Sequence, residues 1–489
     1  MSQFKKLASD TAIYGVSSIV GRFLNWWLVP YYSHLFLPSE YGVVTNLFSY
    51  MAFVLVVLTY GMETGYFRYA SQAKDKELVY STSLVSLLST SLAFLLLVLP
   101  FSGNIATWLG YAEFPEYIRW IALIMALDAF TSIPFAKLRI EGRPIKFATL
   151  KVVSIFVNIF LNIFFLSICP YLLESNPESI VRHVYRADMG VGYVFISNLV
   201  ASALVFLMLI PDMKISFRFQ RSLLREMLWY SFPILIVGVA GMVNQNIDKI
   251  LLPVLIPEGE SPMAQLGIYG ANYKLAVIMN MFIQAFRYAF EPFFFSQAKN
   301  DDNKRGYALI LKYFSIFGFV IFLAVSLFLE AFKSLHIINE AYYSGLKIVP
   351  IILMANLFLG IYYTLSLWYK LTDKTRFGAY FALAGAAITL LVNVIFIPRH
   401  GYMASAYAVL ISYALMMVLS YVVGQKYFPI DYPVKRIGFY FVLCLVIFTL
   451  SNLVQFDALA WSYVFNAILF VLFLAVVYKL EFKELRRFF

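Results

Sequence analysis

Long apolar runs alternate with short polar clusters along nearly the whole chain. A helix crossing a bilayer needs about 20 apolar residues, roughly 30 Å at 1.5 Å each. The runs predict about fourteen such helices, over 11–33, 41–62, 79–101, 117–139, 147–168, 191–211, 227–254, 266–292, 307–330, 344–368, 377–396, 403–424, 438–455 and 461–479. Membrane-spanning strands would alternate over about ten residues, whereas these runs are unbroken. The expected fold class is an all-α polytopic membrane protein. The first run, Thr11 to Ser33, is too long for the core of a cleaved signal peptide and carries Arg22, so it predicts a helix that stays in the membrane.

Composition removes the soluble alternative. Hydrophobic residues make up 62% of the 489 and charged residues 13%. That leaves too little polar surface to cover a soluble particle of this size. The net charge of +11 would suggest nucleic acid in a soluble protein, but here its placement sets topology. With both termini in the cytoplasm, the segments on that side hold most of the 38 Lys and Arg, among them Arg139, Arg143, Arg218 and Arg376. The opposite loops hold Arg182, Arg186, Lys333 and Arg399. No nucleic-acid partner is needed. The opposite loops are short, the longest being Cys169 to Gly190, and leave no room for an independent domain. The two cysteines and four histidines show no disulfide or metal spacing.

An internal repeat runs through the chain. Leu28-Val29-Pro30 followed by Tyr41-Gly42 matches Leu252-Pro253 followed by Tyr269-Gly270. Lys137 and Arg143 match Lys370 and Arg376 at the same offset, and Asn162-Ile-Phe-Phe matches Asn393-Val-Ile-Phe. A repeat of six helices keeps its orientation, so two parallel six-helix bundles are expected, 1–212 and 213–425, with two extra C-terminal helices in 426–489. Two bundles around a central cavity make a transporter architecture.

Charges at the bilayer midplane are costly and line cavities or pair with one another. Arg22 shares a helix face with Ser18 and Asn25. Asp128 is a midplane carboxylate with hydroxyls one turn on. Lys151, Ser154, Asn158 and Asn162 form a stripe, read as packing polars behind a topogenic lysine. The seventh helix carries Asp248 and Lys249. In the eighth, Asn280, Gln284, Arg287 and Glu291 line one face, with Lys274 nearer its outer end. The expected substrate-binding residues are Arg22, Asn25, Lys249, Lys274, Gln284 and Arg287. Asp128, Asp248 and Glu291 are the coupling candidates, for proton or sodium. Interhelical ion pairing is the competing account of the same charges. No Walker A sequence, catalytic triad or paired-carboxylate arrangement is present, so neither an ATPase nor an enzyme is expected, and no cofactor.

Several stretches resemble bacterial oligosaccharide flippases, the O-antigen and capsular polysaccharide transporters of the multidrug/oligosaccharidyl-lipid/polysaccharide exporter superfamily. They are Ala12-Ile-Tyr-Gly through Arg22 to Leu37-Pro-Ser-Glu-Tyr-Gly42, Gly61-Met-Glu-Thr-Gly-Tyr-Phe-Arg68, Leu138-Arg-Ile-Glu-Gly-Arg-Pro144 and Ser231-Phe-Pro233. Asp248-Lys-Ile-Leu-Leu252, Gly267-Ile-Tyr-Gly-Ala-Asn-Tyr-Lys274 and Glu291-Pro-Phe293 complete the set. The resemblance implies two six-helix lobes, a central cavity and a lipid groove beside the last two helices. It implies flipping of an undecaprenyl-diphosphate-linked glycan to the periplasmic leaflet of the inner membrane, with membrane lipids and glycan polymerase machinery as partners. Arg22 stands where lipid II flippases carry a cavity arginine, but the Arg-Asp pair that follows in those proteins is missing here, which points to another glycan. A cation-coupled multidrug exporter, whose cavity would be acid-rich, is the alternative. A membrane glycosyltransferase or polymerase is disfavoured by the loop lengths.

Overall fold

The computed structural model describes residues 3–213, 218–297, 304–454 and 456–485. Within them, side chains are described except at 3–14, 16–18, 258, 289–297 and 483–485. Among the described residues the secondary structure is entirely helical. Twelve stretches are long and apolar enough to cross a membrane, and the chain is a multi-pass membrane protein. The other two expected spans are helical as well, interrupted by polar residues. The chain divides into two compact units, 1–267 and 268–489.

Unit 1 contains α1 (Gln3–Leu35), α2 (Pro38–Thr59), α3 (Met62–Gln72), α4 (Lys76–Val98), α5 (Ser102–Trp108) and α6 (Pro115–Ile140). It continues with α7 (Pro144–Ile163), α8 (Cys169–Ser175), α9 (Gly192–Leu209) and α10 (Arg221–Leu255), and ends inside α11 (Pro262–Leu275). The centre post is α6, which packs on α2, α4, α5 and α9 and buries Ala122, Ala129 and Ala136 completely. Small side chains let neighbouring helices approach closely, which is how helices associate where lipid is as apolar as leucine. The expected second span breaks at Tyr60 and Gly61, with φ of 35° and 71°, before α3 begins. Glycine suits that left-handed turn, and a Cβ on Gly61 would lie 2.9 Å from the Ser231 carbonyl oxygen of α10. The helix α10, which the sequence groups with the second bundle, packs on α2, α3 and α4 within unit 1.

The fifth expected span ends later than 168. α7 runs through a π turn, Phe164–Ile168, into α8. The cause is Pro170, which lacks an N–H and crowds the carbonyl four residues earlier, so the ladder widens rather than stops.

Unit 2 contains α12 (Val277–Gln297), α13 (Lys304–Ser326), α14 (Glu330–Ser334), α15 (Val349–Leu365) and α16 (Leu367–Leu371). It closes with α17 (Arg376–His400), α18 (Tyr402–Tyr427), α19 (Val434–Leu453) and α20 (Leu459–Leu485). Here α15 is the centre post, packed on α12, α13 and α18. The two centre posts are the fourth and tenth expected spans, which the repeat matches to each other. The eighth expected span, 266–292, is two helices that meet at Ala276.

Candidate functional site

In unit 1, α1 and α7 pack side by side. The Tyr32 hydroxyl donates to Asn162 Oδ1 at 2.8 Å, and the Tyr31 and Ser167 hydroxyls are 2.6 Å apart. A Cβ on Gly21 would meet Ile155 Cδ1 at 2.7 Å. In these three pairs the number in α7 or the π turn that continues it always runs ahead of its α1 partner by a similar amount, so the two helices are parallel. That register puts Arg22 roughly one turn, about 6 Å, further along than Lys151.

Both cations are exposed, yet not on the faces that carry the exposed apolar side chains. On α1 those are Val20, Phe23, Trp27 and Leu35; on α7 they are Ile145, Phe156, Phe160 and Ile163. At 3.6 residues per turn, Arg22 points roughly away from Val20 and Trp27, and Lys151 roughly away from Phe160. Asn25, also exposed, shares the Arg22 face, and Ser154 and Asn158 share that of Lys151. Neither cation forms an ion pair among the described residues. Lys151 Nζ lies 4.2 Å from the centre of the Phe135 ring. Ser18 falls among the side chains outside the described set.

Asp128 sits on α6, where the Ser202 hydroxyl of α9 donates to Oδ1 at 2.9 Å. The cation whose field reaches it is Lys151, which also feels Glu63. Lys151 is therefore the residue that sequence reasoning passed over. Its signal was the 151/154/158/162 stripe, hidden by the lysine's place among topogenic basic residues.

Lys249 and Asp248 are both buried and paired, Nζ to Oδ1 at 3.1 Å. Lys249 Nζ also donates to the Gln245 carbonyl at 2.6 Å. The Lys249 carbonyl accepts from Asn46 Nδ2 at 2.9 Å, and the Tyr111 hydroxyl donates to Asn46 Oδ1 at 2.8 Å. Tyr111 lies in the turn between α5 and α6, where burial pushes its phenol well above the usual range and keeps it a donor. The charge of Lys249 is thus committed to its neighbour.

In unit 2 the Arg287 guanidinium lies 4.6 Å from the centre of the Tyr363 ring. One turn before it, Gln284 Oε1 is buried without a hydrogen-bond partner among the described residues. Lys274 is half-buried on α11. Glu291 lies outside the described side chains. The sequence also missed a buried cluster. Lys312 Nζ (α13) and Arg436 Nε (α19) each meet the Glu481 carboxylate (α20) at 2.7 Å, and the Tyr440 hydroxyl donates to it at 2.7 Å. Glu481 stands among Lys479 and Lys483 in sequence, which disguises it as part of a solvated helix end.

Between α13, α15, α18 and α19 lies an apolar groove of about 300 Å³, lined by residues such as Phe319, Phe358, Ile361 and Phe441. Among the described residues no three His, Cys, Asp or Glu come together to hold a metal.

A family model described as polysaccharide biosynthesis protein matches residues 33–338. Among solved structures, the lipid II flippase MurJ in an inward closed conformation aligns with 96% of this chain and 99% of its own, at a TM-score of 0.72 and 14% identity. An inward-facing multidrug resistance MATE family transporter aligns with 83% of this chain and 94% of its own, at a TM-score of 0.64 and 13% identity. The MATE multidrug transporter DinF-BH aligns with 87% of this chain and 96% of its own, at a TM-score of 0.61 and 17% identity. The fold is theirs. No curated protein matches the sequence.

Proposed function

The chain belongs to the polysaccharide biosynthesis protein family, and on that premise we propose that it is a flippase for an undecaprenyl-diphosphate-linked oligosaccharide. The cargo is an O-antigen or capsular unit, carried from the cytoplasmic to the periplasmic leaflet of a bacterial inner membrane. The observation that carries this reading is the pair Arg22 and Lys151: two cations on polar helix faces, neither in an ion pair among the described residues. A diphosphate leaving water needs cations to replace its hydration, and a guanidinium grips phosphate oxygens in a fork. The sugar needs a wet passage, and the lipid tail stays in the bilayer, with the apolar groove of unit 2 as its support.

The site is exposed to each side of the membrane in turn, and 426–489 flank the tail. The basic inner turns set both termini in the cytoplasm. An inside-negative potential favours outward movement of the anion by about 2.3 kcal/mol per charge per 100 mV across the full field. Asp128, beside Lys151, is the group through which proton or sodium coupling acts. A glycan polymerase consumes the delivered precursor. The protein makes and breaks no covalent bond, so it is a transporter.

The MATE-like fold keeps one competing reading, export of cationic drugs. The test is reconstitution in vesicles. Outward movement of fluorescently labelled undecaprenyl-diphosphate oligosaccharide, with no accumulation of a cationic dye, supports the flippase. Dye transport without glycan movement contradicts it.

A further inference from the structure

A second cavity, of about 870 Å³, opens in unit 2 where α13 and α19 end and α20 begins. These are the helix ends away from Lys304 and Arg436, the side that charge asymmetry assigns to the periplasm. Pockets of this size commonly hold a small ligand, with polar groups fixing its orientation. Its polar wall includes Ser326, Lys347, Ser451, Asn452, Ser462 and Asn466. The Ser451 hydroxyl donates to Asn466 Oδ1 at 2.7 Å, and Asn466 Nδ2 donates to the Leu327 carbonyl at 2.8 Å, so this amide is fixed in advance. Ser326 is buried, and its hydroxyl has no hydrogen-bond partner among the described residues.

Aromatic rings stand beside these groups. Phe456 and Phe465 line the cavity with ring centres 5.5 Å apart, and Tyr343 lines it too. A sugar ring presents hydroxyls that donate and accept, and C–H faces that rest on aromatic rings. Asn452 Nδ2 donates to the Phe448 carbonyl at 2.8 Å, so hydroxyls, two held amides and rings together match that chemistry. Charge argues against a diphosphate here. Lys333 is already paired with Glu330 at 2.6 Å, which leaves Lys347, 5.4 Å from the Tyr402 ring centre, as the one lining cation outside an ion pair among the described residues.

Along the same helix pair, the apolar groove occupies the half nearer the basic turns. An edge contact between Phe322 and Phe448, with centres 5.5 Å apart, lies between groove and cavity. A polar cavity over an apolar groove suits a molecule with a sugar head and a lipid tail. We propose that the cavity is an exit-side subsite for the carbohydrate head of the lipid-linked precursor; this rests on the flippase reading above.

The test uses the full chain in lipid nanodiscs, with Cys169 and Cys444, both buried, replaced by alanine and a single reporter, Ser462→Cys. The probe is the oligosaccharide pool released by mild acid from the lipid-linked intermediates of cells that carry the protein. It should slow maleimide labelling of the reporter at least about five-fold and leave a Ser175→Cys reporter unchanged. Asn452→Leu should raise the half-protecting concentration about tenfold, the loss of one good hydrogen bond. No slowing by the sugars overturns the proposal. Slowing by glycerol phosphate or inorganic phosphate, but not by sugars, also overturns it, in favour of a lipid headgroup. If the sugars protect the reporter but the wild type moves no precursor in vesicles, the flippase reading falls and the carbohydrate site stands.

Discussion

Asn162 on α7 and Asn393 on α17 make the same pair of hydrogen bonds in the two units. Both are fully buried. Each Nδ2 donates to the carbonyl four residues earlier at 2.7 Å, that of Asn158 or of Thr389. Each Oδ1 accepts a hydroxyl, from Tyr32 at 2.8 Å or from Ser405 at 2.7 Å. The first Asn of each matched motif is thus a stitch that ties its helix to a neighbour. Replacing it with leucine leaves a buried hydroxyl unanswered, at a cost of about 1–2 kcal/mol in this setting. Thermal unfolding of the purified protein should show a lowered midpoint for Asn162→Leu and for Asn393→Leu. Adding Tyr32→Phe to the first should recover part of the loss. Unchanged midpoints would remove the stitch from the account.

The Glu481 cluster predicts an order of damage. Glu481→Leu strands the buried Lys312, and breaking a buried pair from one side costs about 3–5 kcal/mol. Lys312→Met should cost less, because Arg436 still answers the carboxylate. The double variant Lys312→Met/Glu481→Leu should unfold later than Glu481→Leu alone. If the double variant is the least stable of the three, the cluster is not an ion-pair clamp.

Orientation has its own check. Ser175, at the end of α8, and Ser222, near the start of α10, are both exposed. With the native cysteines replaced, an impermeant thiol reagent on intact cells should label Ser175→Cys and spare Ser222→Cys. The reverse pattern would turn the direction of transport around.

Coupling is predicted to run through Asp128. In vesicles, wild-type transport should respond to an imposed pH gradient, and Asp128→Asn should lose that response while still following membrane potential. An identical pH response in the variant would leave Asp128 as a structural partner of Ser202 and Lys151.

Much of this was legible in the chain. The apolar runs gave the helices because lipid demands about 20 apolar residues per crossing, and the matched asparagines marked equivalent positions. Helix ends were less legible. The fifth span is expected to end at 168, but the ladder runs past Pro170 through a π turn. The charges were the hardest to read, because one sequence does not show which helices touch. Lys249, expected in the substrate site, is paired with its neighbour Asp248. Lys151 reads as topogenic in the sequence; the register of α7 against α1 sets it roughly one turn from Arg22 along the helix axis. Glu481 and Lys312, 169 residues apart, gave no local sign of their pairing.

On the proposed flippase reading, Arg22 and Lys151 receive the diphosphate. The most direct measurement of this is the initial rate of outward movement of labelled undecaprenyl-diphosphate oligosaccharide in vesicles, for the wild type, Arg22→Ala, Arg22→Lys and Lys151→Ala, at matched levels of inserted protein. Each hydrogen bond to a charged group contributes about 1.5–3 kcal/mol, so each alanine variant should slow the rate roughly tenfold or more. Arg22→Lys should recover part of the loss, since a point charge lacks the fork. Wild-type rates in both alanine variants, with the protein folded and inserted, would contradict the account.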